Sequence, residues 1–221
     1  MPPKLQRVRA QQSLTEQAHS ALRNAIASGQ MRPGEMHSVA ELALQLGVSR
    51  TPVREAVLQL ARIGMVEVRR NQGVVVLART EEDVARIYQL RLWLEVPAVE
   101  IAASTASPAQ KEQIRKAYSQ MLSAAEIGDQ SRLEHADTQF HSLILNVTDN
   151  PRLVSVVREL RDLLMSRNQT TTGKSQSLLE VAHDHDDILA AIENGDGPAA
   201  AACMRVHLET TCDRVITLFR D

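Results

Sequence analysis

From Thr80 onward the chain is cut at nearly regular intervals by residues that start or stop helices, and this punctuation leaves room for little besides long amphipathic helices. Thr80 with Asp83 predicts a helix over about 81–105, and Ser107-Pro108 opens one over about 108–127. Gly128-Asp129 starts a third, to about 148, and Asn150-Pro151 a fourth, to about 168. After a polar Thr/Gly/Ser stretch a fifth runs from about 175 to 193. Asn194-Gly195-Asp196-Gly197-Pro198 forms the last turn, and a sixth helix reaches about Phe219. Connections this short imply an all-α six-helix bundle over residues 80–221.

Ahead of Thr80 the grammar differs. Leu14, Ala18, Ala21, Leu22, Ala25 and Ile26 recur at helical spacing until Gly29. After the turn Met31-Arg32-Pro33-Gly34, Ser38 and Glu41 make a capping box for a short helix that Gly47 stops. Ser49 offers the next N-cap, Pro52 is tolerated in the first turn, and Val53, Ala56, Val57, Leu60 and Ala61 give an apolar face up to Gly64. Two short strands, Met65 to Arg69 and Gly73 to Leu77, then read as a β-hairpin. The expected whole is mainly α, a winged helix-turn-helix over residues 1–77 followed by the bundle.

Charge divides the chain at the same place. Residues 1–79 hold 11 Lys/Arg against 5 Asp/Glu, and residues 80–221 hold 14 against 22. The overall charge of -2 conceals a basic module suited to a polyanion and an acidic module with another task. An aromatic content of 2% argues against a stacking platform for single strands, so duplex DNA is the expected partner. Cys203 and Cys212, nine residues apart on one expected helix, would sit about 13 Å apart and do not pair. The N-terminus lacks the apolar core of a signal peptide and no apolar run is long enough to span a bilayer, so a cytoplasmic protein with no membrane partner is expected.

In a helix-turn-helix the second helix enters the major groove by its N-terminal end. Arg50 and Arg54 share one face there and suit bidentate bonding to guanine, while Ser49 and Thr51 suit phosphates. Arg69 and Arg70 at the hairpin tip are placed to act as a wing against the backbone or minor groove. The plain alternative is a packing unit whose arginines are solvated surface. The stretch Leu46-Gly47-Val48-Ser49-Arg50-Thr51-Pro52-Val53-Arg54-Glu55-Ala56, preceded by Ile26-Ala27-Ser28-Gly29-Gln30-Met31-Arg32-Pro33-Gly34, resembles the winged helix-turn-helix of GntR-family transcription regulators. That resemblance implies base contacts from Arg50 and Arg54, phosphate contacts from Ser49 and Thr51, and a wing turn at Gly73. Ala40 stands where family members often carry an arginine, which removes one DNA contact.

In the bundle, Asp137 and His141 lie one helical turn apart beside the stripe Leu133, Ala136, Phe140, Leu143, Ile144. His185 occupies an apolar position in the series Val181, His185, Ile188, Ile192, and His207 borders Met204, Leu208 and Val215. His185 lies 11 residues before Asp196 and His207 lies 11 after it, so an antiparallel pair brings them to one height. One carboxylate and three imidazoles converging in a bundle would bind a divalent metal, zinc first, with nickel, manganese or another ion also open. Singly, each histidine reads as a hydrogen-bonded core or boundary residue. Cys203, one turn before His207, and His183, two residues before His185, are competing ligands.

This half resembles the FCD ligand-binding domain of the FadR subfamily of GntR regulators. Its pattern of Asp-x-x-x-His followed by two single His falls on Asp137, His141, His185 and His207, and the six helices resemble the VanR-type branch. The resemblance implies a metal whose free positions accept a small carboxylate metabolite. Arg91, in Gln89-Leu90-Arg91-Leu92-Trp93-Leu94-Glu95, resembles the family's Arg-x-x-Leu-Glu segment and would bind the effector's carboxylate; a salt bridge to Glu95 is the equal alternative.

Together these features predict a homodimeric, ligand-responsive transcription regulator, a repressor before an activator, on a two-fold symmetric operator. A rival reading is a metal-dependent hydrolase with a DNA-binding localiser; Glu134 is its one candidate base, and no motif sets a carboxylate against a metal-bound water. A purely structural metal is the third.

Overall fold

The computed structural model describes residues 13–70, 72–164 and 176–219, and the chain divides into two compact units, Met1–Ala78 and Arg79–Asp221. In the first, α1 (Leu14–Ala27) begins where Ser13 and Glu16 cap each other's backbone N–H groups. The same box, Ser38 with Glu41, starts α2 (Val39–Leu46), and Gly47 closes it at φ +66° in the left-handed region. Recognition-type helix α3 (Arg50–Arg62) follows after two residues, with Ser49 at the N-cap position making no side-chain cap bond. Leu22, Ile26, Leu42, Val53, Val57 and Leu60 form the core of this unit with Met65, Val66 and Val74 to Val76.

A third strand joins the expected hairpin. Besides β2 (Val66–Arg69) and β3 (Gly73–Val76), β1 (Met36–His37) pairs with the free edge of β3, in the order β1-β3-β2, all antiparallel. Two residues carry no readable alternation, so only the edge of β3 makes them a strand. At Gly73 φ is +133°, and a Cβ there would stand 2.5 Å from the carbonyl oxygen of His37. Gly73 is therefore required by the sheet itself, before any contact with a partner.

The second unit is helical throughout its described residues: α4 (Glu81–Thr105), α5 (Pro108–Glu126), α6 (Gln130–Asn146), α7 (Pro151–Leu164), α8 (Leu178–His183), α9 (Asp186–Asn194) and α10 (Gly197–Thr217). Capping boxes open α4, α5 and α8, and α10 lies along α4 while α5 packs on α6. Phe140, Ile114, Met121, Leu133, Ile188, Ile192, Met204 and Leu208 fill the centre. None of the described helices is long and apolar enough to cross a membrane. The expected reach of the fourth helix to 168, the Thr/Gly/Ser stretch after it, the start of the fifth near 175 and Asn71 of the hairpin turn lie outside the described residues.

One expected helix is divided. The run read as continuous over 175–193 breaks at Asp184–His185, so α8 and α9 replace a single helix. At the break the His185 N–H donates to the Ala182 carbonyl at 3.2 Å, three residues back, and His185 Nδ1 takes the Val181 carbonyl at 3.0 Å, the acceptor a continuing helix would have used. Asp184 is held by Arg214 Nη1 at 2.5 Å and by Gln176 Nε2 at 3.1 Å. The His185 ring thus takes a carbonyl from the backbone ladder, while side chains from outside α8 and α9 anchor Asp184.

Candidate functional site

On the front unit, Ser49, Arg50, Thr51 and Arg54 are all exposed on the first turns of α3, and Arg69 and Arg70 are exposed at the end of β2 and in the turn after it. Arg50, Arg54, Arg69, Arg70 and Gly73 line one groove of about 540 Å³, with Val39 and Ala40 of α2 on its wall. Nearby carboxylates are diverted. Glu55 Oε2 accepts from Thr15 Oγ1 of α1 at 2.7 Å, and Glu67 is held by Arg69 at 3.0 Å. The result is a cationic cleft between a helix and a wing, able to take a phosphate backbone and a base edge together.

In the helical unit, α6 supplies Asp137 and His141, the α8–α9 break supplies His185, and α10 supplies His207. One ring nitrogen from each histidine lies within 4.8 Å of the others, and the His185 and His207 ring centroids are 4.5 Å apart. Asp137 Oδ1 is 3.1 Å from His185 Nε2 and 3.8 Å from His141 Nε2. His141 and His185 are each 1% exposed, packed edge-on against Phe140.

Hydrogen bonding fixes which nitrogens are free. Glu95 Oε2 faces His141 Nδ1 at 2.7 Å, and an ionised carboxylate only accepts, so the proton sits on Nδ1 and Nε2 keeps its lone pair. The Val181 carbonyl likewise holds the proton on His185 Nδ1. His141 Nε2, His185 Nε2 and His207 Nδ1 are all buried without a hydrogen-bond partner among the described residues. A lone pair on His185 and a carboxylate oxygen 3.1 Å away repel unless a positive centre lies between them. The three histidines fit a divalent ion bound by neutral imidazoles, and Asp137, beside His185 and His141 but outside the 4.8 Å set, stands at its margin.

Electrostatics favour the ligating protonation states. Burial, reinforced by Arg161, outweighs Glu95 and pushes His141 down to about 4, and burial with the two other imidazoles lowers His207 well below the ordinary range. Burial opposes ionisation of Asp137 and Glu95. Arg161 still holds Asp137 well below the usual carboxylate range, and Arg91 and His141 do the same for Glu95. Arg91 is 4% exposed, with Nε donating to Glu95 Oε1 at 2.7 Å, so the salt-bridge alternative for Arg91 is present in the structure.

The competing ligands are not part of the triad: His183 is exposed and pairs with Asp186 at 2.9 Å, and Cys203 is a free, half-buried thiol. Glu134, the candidate base of the hydrolase reading, accepts from Gln130 at 2.8 Å. Two participants were not anticipated: Glu95 as the partner of His141, and Arg161 of α7, whose Nη2 donates to Asp137 Oδ2. The four-residue spacing of Arg91 and Glu95 signalled only their mutual pair. Nothing local marks Arg161, one of several cations on an amphipathic helix.

Residues 14–76 match the bacterial regulatory proteins of the gntR family, and residues 86–210 match the FCD domain. The chain is 28% identical over 217 residues to the HTH-type transcriptional regulator LutR of Bacillus subtilis, covering 89% of this chain and 98% of that one. It is 31% identical over 183 residues to a protein of Paenarthrobacter nicotinovorans named "Probable D-xylose utilization operon transcriptional repressor", covering 83% of this chain and 80% of that one. Among solved structures, Escherichia coli McbR/YncC shares the fold, with a TM-score of 0.83 at 23% identity over 95% of this chain and all of that one (100%). These relatives are regulators, not enzymes. The chain belongs to the GntR family and, with its FCD domain, is a DNA-binding transcription regulator.

Proposed function

We propose that this regulator works as a homodimer, a repressor in the first instance, that holds a divalent metal on Asp137, His141, His185 and His207 and alters its grip on operator DNA when a small carboxylate metabolite joins the metal. The observation that carries this reading is the set of three imidazole nitrogens within 4.8 Å of one another, with buried ring nitrogens that have no hydrogen to accept. Zinc suits the donors best, and nickel or manganese is accommodated by the same set. The metal, when bound, supplies a Lewis-acid anchor for a carboxylate oxygen.

The chain's own residues do the rest. Glu95 and the Val181 carbonyl orient His141 and His185 with their lone pairs free, and Arg91, already ordered by Glu95, offers its remaining N–H groups to the acid. In the front unit Arg50 and Arg54 read base edges, Ser49, Thr51, Arg69 and Arg70 hold the backbone, and Gly73 shapes the wing. Two recognition helices on a two-fold operator require a two-fold dimer. The acid shifts the dimer between conformations only as far as its affinity for the two differs.

Elemental analysis of the purified protein beside a His185→Ala, His207→Ala double variant tests the site. Stoichiometric metal in the parent and none in the variant is expected, with acid-dependent thermal stabilisation and acid-dependent operator binding in the parent alone. A parent that takes up no metal on reconstitution overturns the metal. Operator affinity unmoved by every acid that binds overturns the switch.

A further inference from the structure

Around the three imidazoles the chain sets two carboxylates and two guanidinium groups. Glu95 accepts from Arg91 Nε at 2.7 Å, and Asp137 accepts from Arg161 Nη2. The pairs cancel, so with neutral imidazoles the cluster has no net charge of its own. A divalent cation then leaves two uncompensated positive charges where Arg91 is 4% exposed and His141 and His185 are 1% exposed, a strongly disfavoured state.

Unpaired donors make the same demand. Arg91 Nη2 and Arg161 Nε are buried with no hydrogen-bond partner among the described residues. Each guanidinium uses one N–H on a carboxylate of the cluster and holds another in reserve, and a buried N–H left unpaired costs the full penalty of its lost hydration. The two reserves come from different helices, Arg91 from α4 and Arg161 from α7, yet the carboxylates they bond flank one imidazole, Glu95 2.7 Å from His141 Nδ1 and Asp137 3.8 Å from His141 Nε2. Acceptors on separate groups of one ligand reach both; a single compact anion satisfies fewer. Tyr88 fixes the Arg91 plane, its ring centroid 5.0 Å from the guanidinium carbon.

Resting on the metal-and-acid reading above, we infer that the effector is a dianion, a small dicarboxylate, and that Arg161 together with Arg91 selects it over monocarboxylates. Arg161 is thereby a specificity residue, and its role does not reduce to supporting Asp137.

The test is calorimetric titration of zinc-loaded full-length protein with malonate, succinate and glutarate against propionate, butyrate and valerate, with inorganic phosphate as a compact dianion. At least one diacid is expected to bind about tenfold or more tighter than its matched monoacid, and phosphate more weakly than that diacid. Arg161→Lys keeps the charge beside Asp137 but has no Nε edge; it should cut the preference to below about threefold while metal content, read by elemental analysis after titration, stays at the parent level. Equal binding of monoacids and diacids, phosphate binding as tightly as the best diacid, or an undiminished preference in Arg161→Lys overturns the inference and leaves the metal site standing. Protein that takes no metal, or that binds neither acid class once loaded, overturns the underlying reading along with it.

Discussion

Arg50, Arg54, Arg69 and Arg70 of the front unit stand in water, and among the described residues only Arg69 of the four has an ion-pair partner, the exposed Glu67. Arg91 and Arg161 of the helical unit are largely withdrawn from water and each is bonded to a carboxylate, Glu95 and Asp137. The same side chain thus serves two purposes. Exposed, it contributes a long-range, salt-screened attraction that tolerates loss of any one member. Buried, it is part of a set whose charges and hydrogen bonds must balance, so one removal leaves its partner unpaired. Effects on the helical unit should therefore be steep and local, and effects on the front unit graded.

The sharpest test of that contrast is His185→Ala. Removing one of four ligands is expected to weaken metal binding by roughly a hundredfold to a thousandfold in competition with a chelator, while the metal-free protein melts within a few degrees of the parent. A large loss of stability without metal would mean that His185 is structural and would dissolve the difference between the units.

Acid should reach the helical unit first. His141 is depressed to about 4 from 6.5, so between these values the unfolded chain binds a proton that the folded one does not. Stability is fully present above about pH 6.5 and falls as pH is lowered towards 4, by as much as roughly 3 kcal/mol for this group. Urea titrations from pH 8 to 4 on the parent and His141→Gln check it. The variant should lose much of the slope between 6.5 and 4, and identical slopes would refute the assignment.

Smaller effects belong to the front unit. Arg54→Ala is expected to weaken specific operator binding by roughly one to two orders of magnitude and to relax preference at one base pair. Arg70→Ala should weaken specific and non-specific DNA alike and lower the salt slope of binding by about 1, as titrations at several salt concentrations would reveal. If Arg70→Ala alters base preference instead, the wing reads sequence and the division of roles between helix and wing is wrong.

How far the sequence foretold this structure depends on the range of the interactions involved. The starts of α2, α4 and α5 were legible because a capping residue and its partner three positions on satisfy each other within one turn, and α1 was legible from its apolar spacing. The meeting of His185 and His207 was legible from equal spacing about Asp196, and it survives the helix break because the turn at Gly195 sets the register of the last hairpin. The break itself was not legible, since Arg214, thirty positions along the chain, holds Asp184 in place. Strand β1 depends on an edge nearly forty residues away.

By itself, then, the sequence determined what is set within a turn or two of chain: the capped helix starts, the helix-turn-helix with its exposed arginines, the apolar stripes and the four candidate ligands. Tertiary structure alone decided what depends on neighbours distant in sequence: the third strand, the approach of Gly73 to His37, the proton held on His141 by Glu95, and the pairing of Arg161 with Asp137. Local patterns report the faces that helices bury. Which polar groups meet once those faces are packed, and so which are left without a partner, is a property of the packed core alone.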